Sequence, residues 1–166
     1  MTRSGLKMES ILEFVDAFKS KNAMMNWFTE YCSDDLVVIV GDDTLSLDAF
    51  KQSQFAIIES SPNPVIEIFD IYKQSNGSVY LNAQISGKHT GQPYSYLDYP
   101  EIATSGCAWR NDPEIIEFAR VGDQVDGSGK IGKIIIMPND TSASKNGFVG
   151  PKGIYQQISL HSPPPA

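Results

Sequence analysis

Cysteine, histidine, basic charge and long apolar runs are all scarce in this sequence, and each scarcity closes off a class of function. Its 166 residues include two cysteines and two histidines. Cys32 and Cys107 have no metal-ligand spacing; one disulfide is permitted but not demanded, and a reducing compartment is the simpler setting. No Ser-His-Asp order, Cys–His pair or His-x-x-His cluster supports a nucleophile or a metal, so no metal is expected. Lys and Arg number 13 against 20 Asp and Glu, a net charge of -7. Without a basic run this argues against a sequence-independent grip on nucleic acid. No segment approaches the ~18 consecutive apolar residues of a membrane span. The start MTRSGLKMES also lacks the apolar core of a signal peptide. A cytoplasmic protein that does not engage membranes is expected.

The remainder suits one domain. Apolar residues make up 41% and charged residues 20% of the chain, ordinary for a globular protein with one core. Residues 1–9 read as a flexible N-terminus, 10–159 as the domain and 160–166 as a flexible tail. Ser10-Ile11-Leu12-Glu13 has the form of a capping box, so a helix is expected from Ser10 to about Lys21. Asn22 could cap a second helix whose bulky stripe is Met24, Trp27, Phe28 and Tyr31. Leu36 to Val40 reads as a strand, buried on both faces or at an edge under a helix. Ser46 looks like the N-cap of a third helix carrying Leu47, Phe50, Ile57 and Ile58, stopped at Ser60-Ser61-Pro62-Asn63-Pro64.

After that the periodicity becomes that of strands: Val65–Tyr72, Val79–His89, Glu114–Val121 and Ile131–Met137. Asn76-Gly77 makes a hairpin of the first two, and Gly122 to Lys130 is a Gly-rich turn between the last two. No helix-length segment separates these strands, so the sheet is expected to be mainly antiparallel and the class α+β. Gly127-Ser128-Gly129-Lys130-Ile131-Gly132 matches G-x-G-x-x-G, but it leads into a strand rather than a helix. It is therefore read as a turn, and no nucleotide cofactor is expected.

The stretch from Val79 carries the site hypothesis. Val79, Leu81, Ala83 and Ile85 alternate with polar residues, and His89 falls on the apolar side if the strand runs on unbroken. There it could serve as general base or as donor to a substrate oxygen. Gly87 would leave space beside it. Tyr94, Tyr96 and Tyr99 follow on a loop, residues 91–106, that could close over a pocket and move more than the sheet. Asp140 comes after the apolar strand Ile134–Met137, where a carboxylate beside a cavity could move protons. Trp27 joins the three tyrosines as a substrate-contacting candidate. Glu67 and Asp70 have odd spacing and are expected on opposite faces of their strand. That strand is apolar in both phases, which points to a homodimer through an outer sheet face.

Taken in order, the motifs resemble the SnoaL-like polyketide cyclase group of the NTF2-like superfamily. Gly87-Lys88-His89-Thr90-Gly91 is similar to that group's Gly-x-His-x-Gly strand end, and Thr104-Ser105-Gly106 to its Thr-Gly turn. Gly132-Lys133-Ile134 precedes a final strand as it does there, and Ile154-Tyr155-Gln156-Gln157-Ile158 resembles the closing Leu-Gln-Gln-Leu segment. The resemblance covers Ser10 to Ser159. It implies a cone-shaped barrel with N-terminal helices on a strongly curved, mainly antiparallel sheet, a homodimer, and a pocket for a small hydrophobic molecule. It further implies cofactor-independent acid/base isomerisation or cyclisation of a small carbonyl compound, with Asp140 as the acid/base and His89 orienting the substrate oxygen. Hydrolases, dehydratases and non-catalytic scaffolds share the superfamily, so a small-molecule binding or dimerisation module is the rival reading.

Overall fold

The computed structural model describes residues 8–120, 130–139 and 147–161, with the side chain of His161 left aside. Four α-helices pack with a seven-stranded mixed sheet that curls into a half-barrel. The helices are α1 (Met8–Asp16), α2 (Lys21–Tyr31), α3 (Leu47–Ser60) and α4 (Gly150–His161), with a 3-10 turn at Ala17–Lys19. The strands are β1 (Cys32–Val40), β2 (Asp43–Ser46), β3 (Val65–Lys73), β4 (Val79–Lys88), β5 (Ala108–Arg110), β6 (Glu114–Arg120) and β7 (Ile131–Pro138). The order is β2-β1-β7-β6-β4-β3, every pairing antiparallel except β1 with β7. No helix among the described residues is long and apolar enough to cross a membrane.

One-sided burial explains most of these elements. Leu36, Val38 and Val40 of β1, Val79, Leu81 and Ala83 of β4, and Ile134 and Ile136 of β7 are buried at period two, and their alternates are not. β1 is therefore half-buried inside the sheet rather than buried on both faces or at an edge. The helices close the concave side with Ile11, Phe14, Met24, Trp27, Phe28 and Phe50. The capping residues differ from the sequence reading at two of three helices. Ser10 lies inside α1, because that helix begins at Met8. Ser20 caps α2 in place of Asn22, its Oγ accepting the Ala23 N–H at 3.0 Å. Ser46 caps α3 as expected, accepting from Ala49 at 3.2 Å.

Two irregularities in the sheet shape the site. β5 and β6 lie one after the other along the same edge of β4, pairing Ser86–Lys88 and Val79–Ala83 respectively. Between them the Asn111 N–H still donates to the Ile85 carbonyl at 3.0 Å, but Asp112-Pro113 leaves the ladder; Pro113 has no N–H to give it. β3 carries a bulge between Ile68 and Asp70. The bulge resets the phase, so Glu67 opposite Gln84 and Asp70 opposite Asn82 both point outward, not to opposite faces. Ile66, Ile68 and Ile71 pair with the inward residues Ile85, Ala83 and Leu81.

The loop from residue 91 to 106 is tied down rather than loose. The Gly91 and Gln92 amides donate to the carbonyls of Ser60 and Glu59, capping α3 at 2.8 and 2.9 Å. Tyr94 and Ile102 exchange backbone hydrogen bonds at 2.8 and 2.9 Å, and the Thr104 hydroxyl donates to the Gly91 carbonyl at 2.6 Å. A Cβ at Gly91 would collide with the Glu59 carbonyl oxygen and press on Pro62. Gly91→Ala is expected to destabilise the protein by about 1–3 kcal/mol, as overpacking does, and to open residues 91–106 to proteolysis. Urea unfolding with limited digestion measures both.

Candidate active site

An apolar cavity of about 50 Å³ lies between the helices and the concave sheet face. Phe14, Val15 and Phe18 wall it on one side, and Gln54 and Ile57 of α3 on another. The sheet contributes Ile66, Leu81, Ala83, Ile85, Glu114, Ile116 and Ile136, Asn111 adds an amide just before β6, and Gly150 and Pro151 lie at the start of α4.

Glu114 is the one ionisable residue among the described residues of that wall. It opens β6 directly after the ladder break, in phase with buried Ile116 and Phe118. Its Oε2 accepts the Gly150 N–H at 2.6 Å and the Asn111 amide at 3.3 Å. Asn111 is itself held by the Gly150 carbonyl, which accepts from Nδ2 at 3.0 Å, and by the Gln157 amide, which donates to Oδ1 at 2.9 Å. Gln157 in turn accepts the Arg110 N–H at 2.8 Å. This chain ties Glu114 and α4 to the gap between β5 and β6. Oε1 of Glu114 makes no hydrogen bond to any described residue. Burial pushes the carboxyl up to about 7, against the opposing pull of the Gly150 and Asn111 donors; the neighbouring Asp112 charge adds to the rise. A carboxyl with that affinity can both take and return a proton near neutral pH.

The residues singled out from sequence lie elsewhere. His89 is fully buried, but β4 ends at Lys88 and the ring does not line the cavity. Nε2 faces the Gln92 carbonyl at 2.9 Å, so it must be the N–H donor; Nδ1 then accepts from the Ser105 hydroxyl at 3.1 Å. The imidazole thus ties the two ends of the 91–106 loop together. The space expected beside Gly87 is filled by Trp109, whose ring would lie 2.6 Å from a Cβ there. Tyr94 is buried with its hydroxyl donated to the Pro151 carbonyl at 3.0 Å, and Tyr96 donates to Asp43 at 2.7 Å. Tyr99 stacks on Tyr96 at the surface, ring centroids 5.8 Å apart. No residue of the 91–106 loop borders the cavity, so that loop braces α4 instead of covering the pocket mouth. Trp27 packs behind Phe14 at 4.6 Å and gives its N–H to the Ser10 carbonyl at 2.8 Å, one layer away from the cavity. Asp140 lies outside the described residues, as does most of the Gly-rich turn expected between Gly122 and Lys130. Cys32 is buried, which pushes its thiol up to about 12 and removes it as a nucleophile.

The sequence does carry a signal for Glu114. In the expected strand Glu114–Val121 it shares its phase with Ile116 and Phe118, which makes it an acid on an apolar face. Gln54 is likewise in step with Phe50, Ile57 and Ile58 at helical spacing.

A half-barrel with helices across its mouth and a carboxyl in its apolar wall defines an α+β cone with an internal cavity. Solved structures share that architecture over nearly the whole chain. A proposed SnoaL-like polyketide cyclase from Jannaschia sp. CCS1 superposes with a TM-score of 0.64 at 13% identity, covering 95% of this chain and 92% of that one. AclR, a proposed hydroxylase from Streptomyces galilaeus, gives 0.63 at 14% identity, with 92% and 95% covered. An NTF2-like protein of unknown function from Exiguobacterium sp. 255-15 gives 0.56 at 14% identity, with 79% and 98% covered. The fold is thus NTF2-like, in the form found among SnoaL-like cyclases. No family model and no curated protein matches the sequence.

The buried carboxyl sets a pH dependence. Below about 4.5, the ordinary value, Glu114 is protonated in folded and unfolded chains alike. Between there and about 7 the folded chain keeps a proton that the unfolded chain has lost, so stability falls as pH rises and levels off above. The fall attributable to this group is on the order of 3 kcal/mol. Glu114→Gln retains an oxygen for Gly150 and Asn111 and is expected to lose that share of the fall. Urea unfolding of both proteins at pH 5 and pH 8 checks it.

Proposed function

We propose that the protein is a cofactor-independent acid/base enzyme that isomerises or cyclises a small, mostly apolar carbonyl compound in the cone cavity, with Glu114 moving the proton. The observation that carries this reading is that Glu114 lines an apolar cavity with Oε2 fixed by two donors and no described residue bonded to Oε1. The fixed oxygen sets the geometry and the free one is left for chemistry. Burial supports the reading, because a carboxyl poised near neutrality abstracts a proton as the anion and returns it as the acid. The same arrangement suits abstraction next to a carbonyl, where the product enolate needs the proton back at another atom. At about 50 Å³ the cavity lies far below the roughly 300–1,000 Å³ usual for ligand pockets, so only a compound of few heavy atoms enters, with the wall yielding to it.

The test is solvent deuterium incorporation next to the carbonyl of cyclopentanone and related small ketones, followed by mass spectrometry. Exchange is expected to rise with pH through about 7 and then level off, as Glu114 ionises. Glu114→Gln is expected to reduce it roughly 100-fold or more. A panel with no protein-dependent exchange, but with saturable binding, favours a small-molecule binding module instead.

We also propose that two copies pair through the outer sheet face. Val65 is 63% and Phe69 48% exposed on the edge strand β3, with Tyr72 exposed beside them. Glu67 and Asp70 lie on the same face, so pairing brings like charges together and is expected to tighten with added salt. Light scattering is expected to give twice the chain's 18.3 kDa, more completely at high salt than at low. A mass of one chain at micromolar concentration under both conditions overturns it.

A further inference from the structure

Among the described residues three polar side chains line the cavity, Glu114, Asn111 and Gln54, and the position of Gln54 is unlike that of the other buried amides. It is 3% exposed, sits on α3 one turn after Phe50, and lines the cavity. Its side-chain amide makes no hydrogen bond to any described residue, although it carries two donors and an acceptor. Asn111 and Gln157, equally buried, are both bonded at donor and acceptor atoms. No described side-chain nitrogen or oxygen is enclosed without a partner, so the amide's atoms open onto the cavity, where an apolar side chain of the same length would have no polar group to satisfy. The cavity has room for water, so the amide can be solvated when no ligand is bound. Displacing such water from an otherwise apolar wall favours a ligand that returns a hydrogen bond to the same spot.

We propose that the Gln54 amide is the recognition group for the ligand's carbonyl oxygen, donating an N–H to it from the helix wall while Glu114 addresses the adjacent C–H from the sheet wall. This deepens the reading of the cavity as an acid/base site and rests on it for the role of Glu114 alone. In proton abstraction the pair on the C–H bond moves to the carbonyl, whose oxygen gains negative charge as Glu114 gains the proton. A donor at that oxygen becomes stronger as the charge grows, which makes Gln54 a specificity residue and a stabiliser of the enolate together. Among the described residues no arginine or lysine lines the cavity, which favours a neutral ketone or enone over a carboxylate.

The probes are cyclopentanone and methylenecyclopentane, which match in shape and differ in the oxygen. Affinities are measured by NMR titration on the wild type, Gln54→Leu and Gln54→Met. Both variants are expected to fold, with a melting temperature at or above that of the wild type, because they remove an unpaired polar group. The ratio of ketone to alkene affinity is expected to drop about fivefold to tenfold in each, the range of one neutral hydrogen bond. The carbonyl carbon of labelled cyclopentanone is expected to shift on binding the wild type and not on binding the variants. An unchanged ratio overturns the proposal, as does failure of the ketone to bind at all. So does a crystal structure in which water stays on Gln54 with the ketone bound beside it. Exchange without a Gln54-dependent ratio removes this proposal and leaves the enzyme reading; a Gln54-dependent ratio without exchange supports it and removes the enzyme reading.

Discussion

A carboxyl inside an apolar wall needs fixed hydrogen-bond donors, and much of the far end of this molecule is arranged to supply them to Glu114. The nearest is the Gly150 N–H, the first amide of α4. A helix start bears partial positive charge, so it favours the anion without placing a counter-ion in the cavity. The second is Asn111, available because the ladder beside β4 breaks just after it, at Asp112-Pro113. α4 is held in turn by Tyr94 at the Pro151 carbonyl, by Tyr155 at the Pro100 carbonyl at 2.6 Å, and by Gln157 inside the gap. The tyrosine loop therefore matters to the cavity at one remove: it fixes the helix that fixes the acid.

That arrangement bears on how much of the molecule could be read from its residues. Regular alternation was legible wherever one face of a strand was buried, as in β4, since a slip of one residue would turn the apolar face to water. Ser46 was legible as a cap because its function is local. Ser10 was not, because α1 begins two residues before the capping motif. The phase of β3 misled at Phe69, where a bulge inserts a residue that no composition signal marks. The same kind of failure befell His89: strand phase carried past Lys88 put the ring in the cavity, whereas the chain turns away and closes on Ser105 and Gln92.

Glu114 and Gln54 show a different limit. Both stand in apolar phase in the sequence, and a search for polar residues on apolar faces would have found them. Titratable type drew the reading to His89 and Asp140 instead. What could not be read at all is that, among the described residues, Glu114 is paired at one oxygen only and Gln54 not at all. Those facts depend on where α4 begins and on what α3 faces across the cavity, which are products of the assembled fold.

The start of α4 also determines where the chain is free to drift. Gly41 and Gly77 have positive φ of 57° and 91°, but a side chain there would meet open space. Asparagine, which enters that region at modest cost, could replace either. Gly150 has φ of 65° as well, and a Cβ there would strike Val40 in β1. It is thus barred twice, by backbone strain and by the neighbouring strand, and the amide it carries cannot be shifted without displacing both. Position 150 is a point about which the rest of the sequence can change while the acid keeps its place.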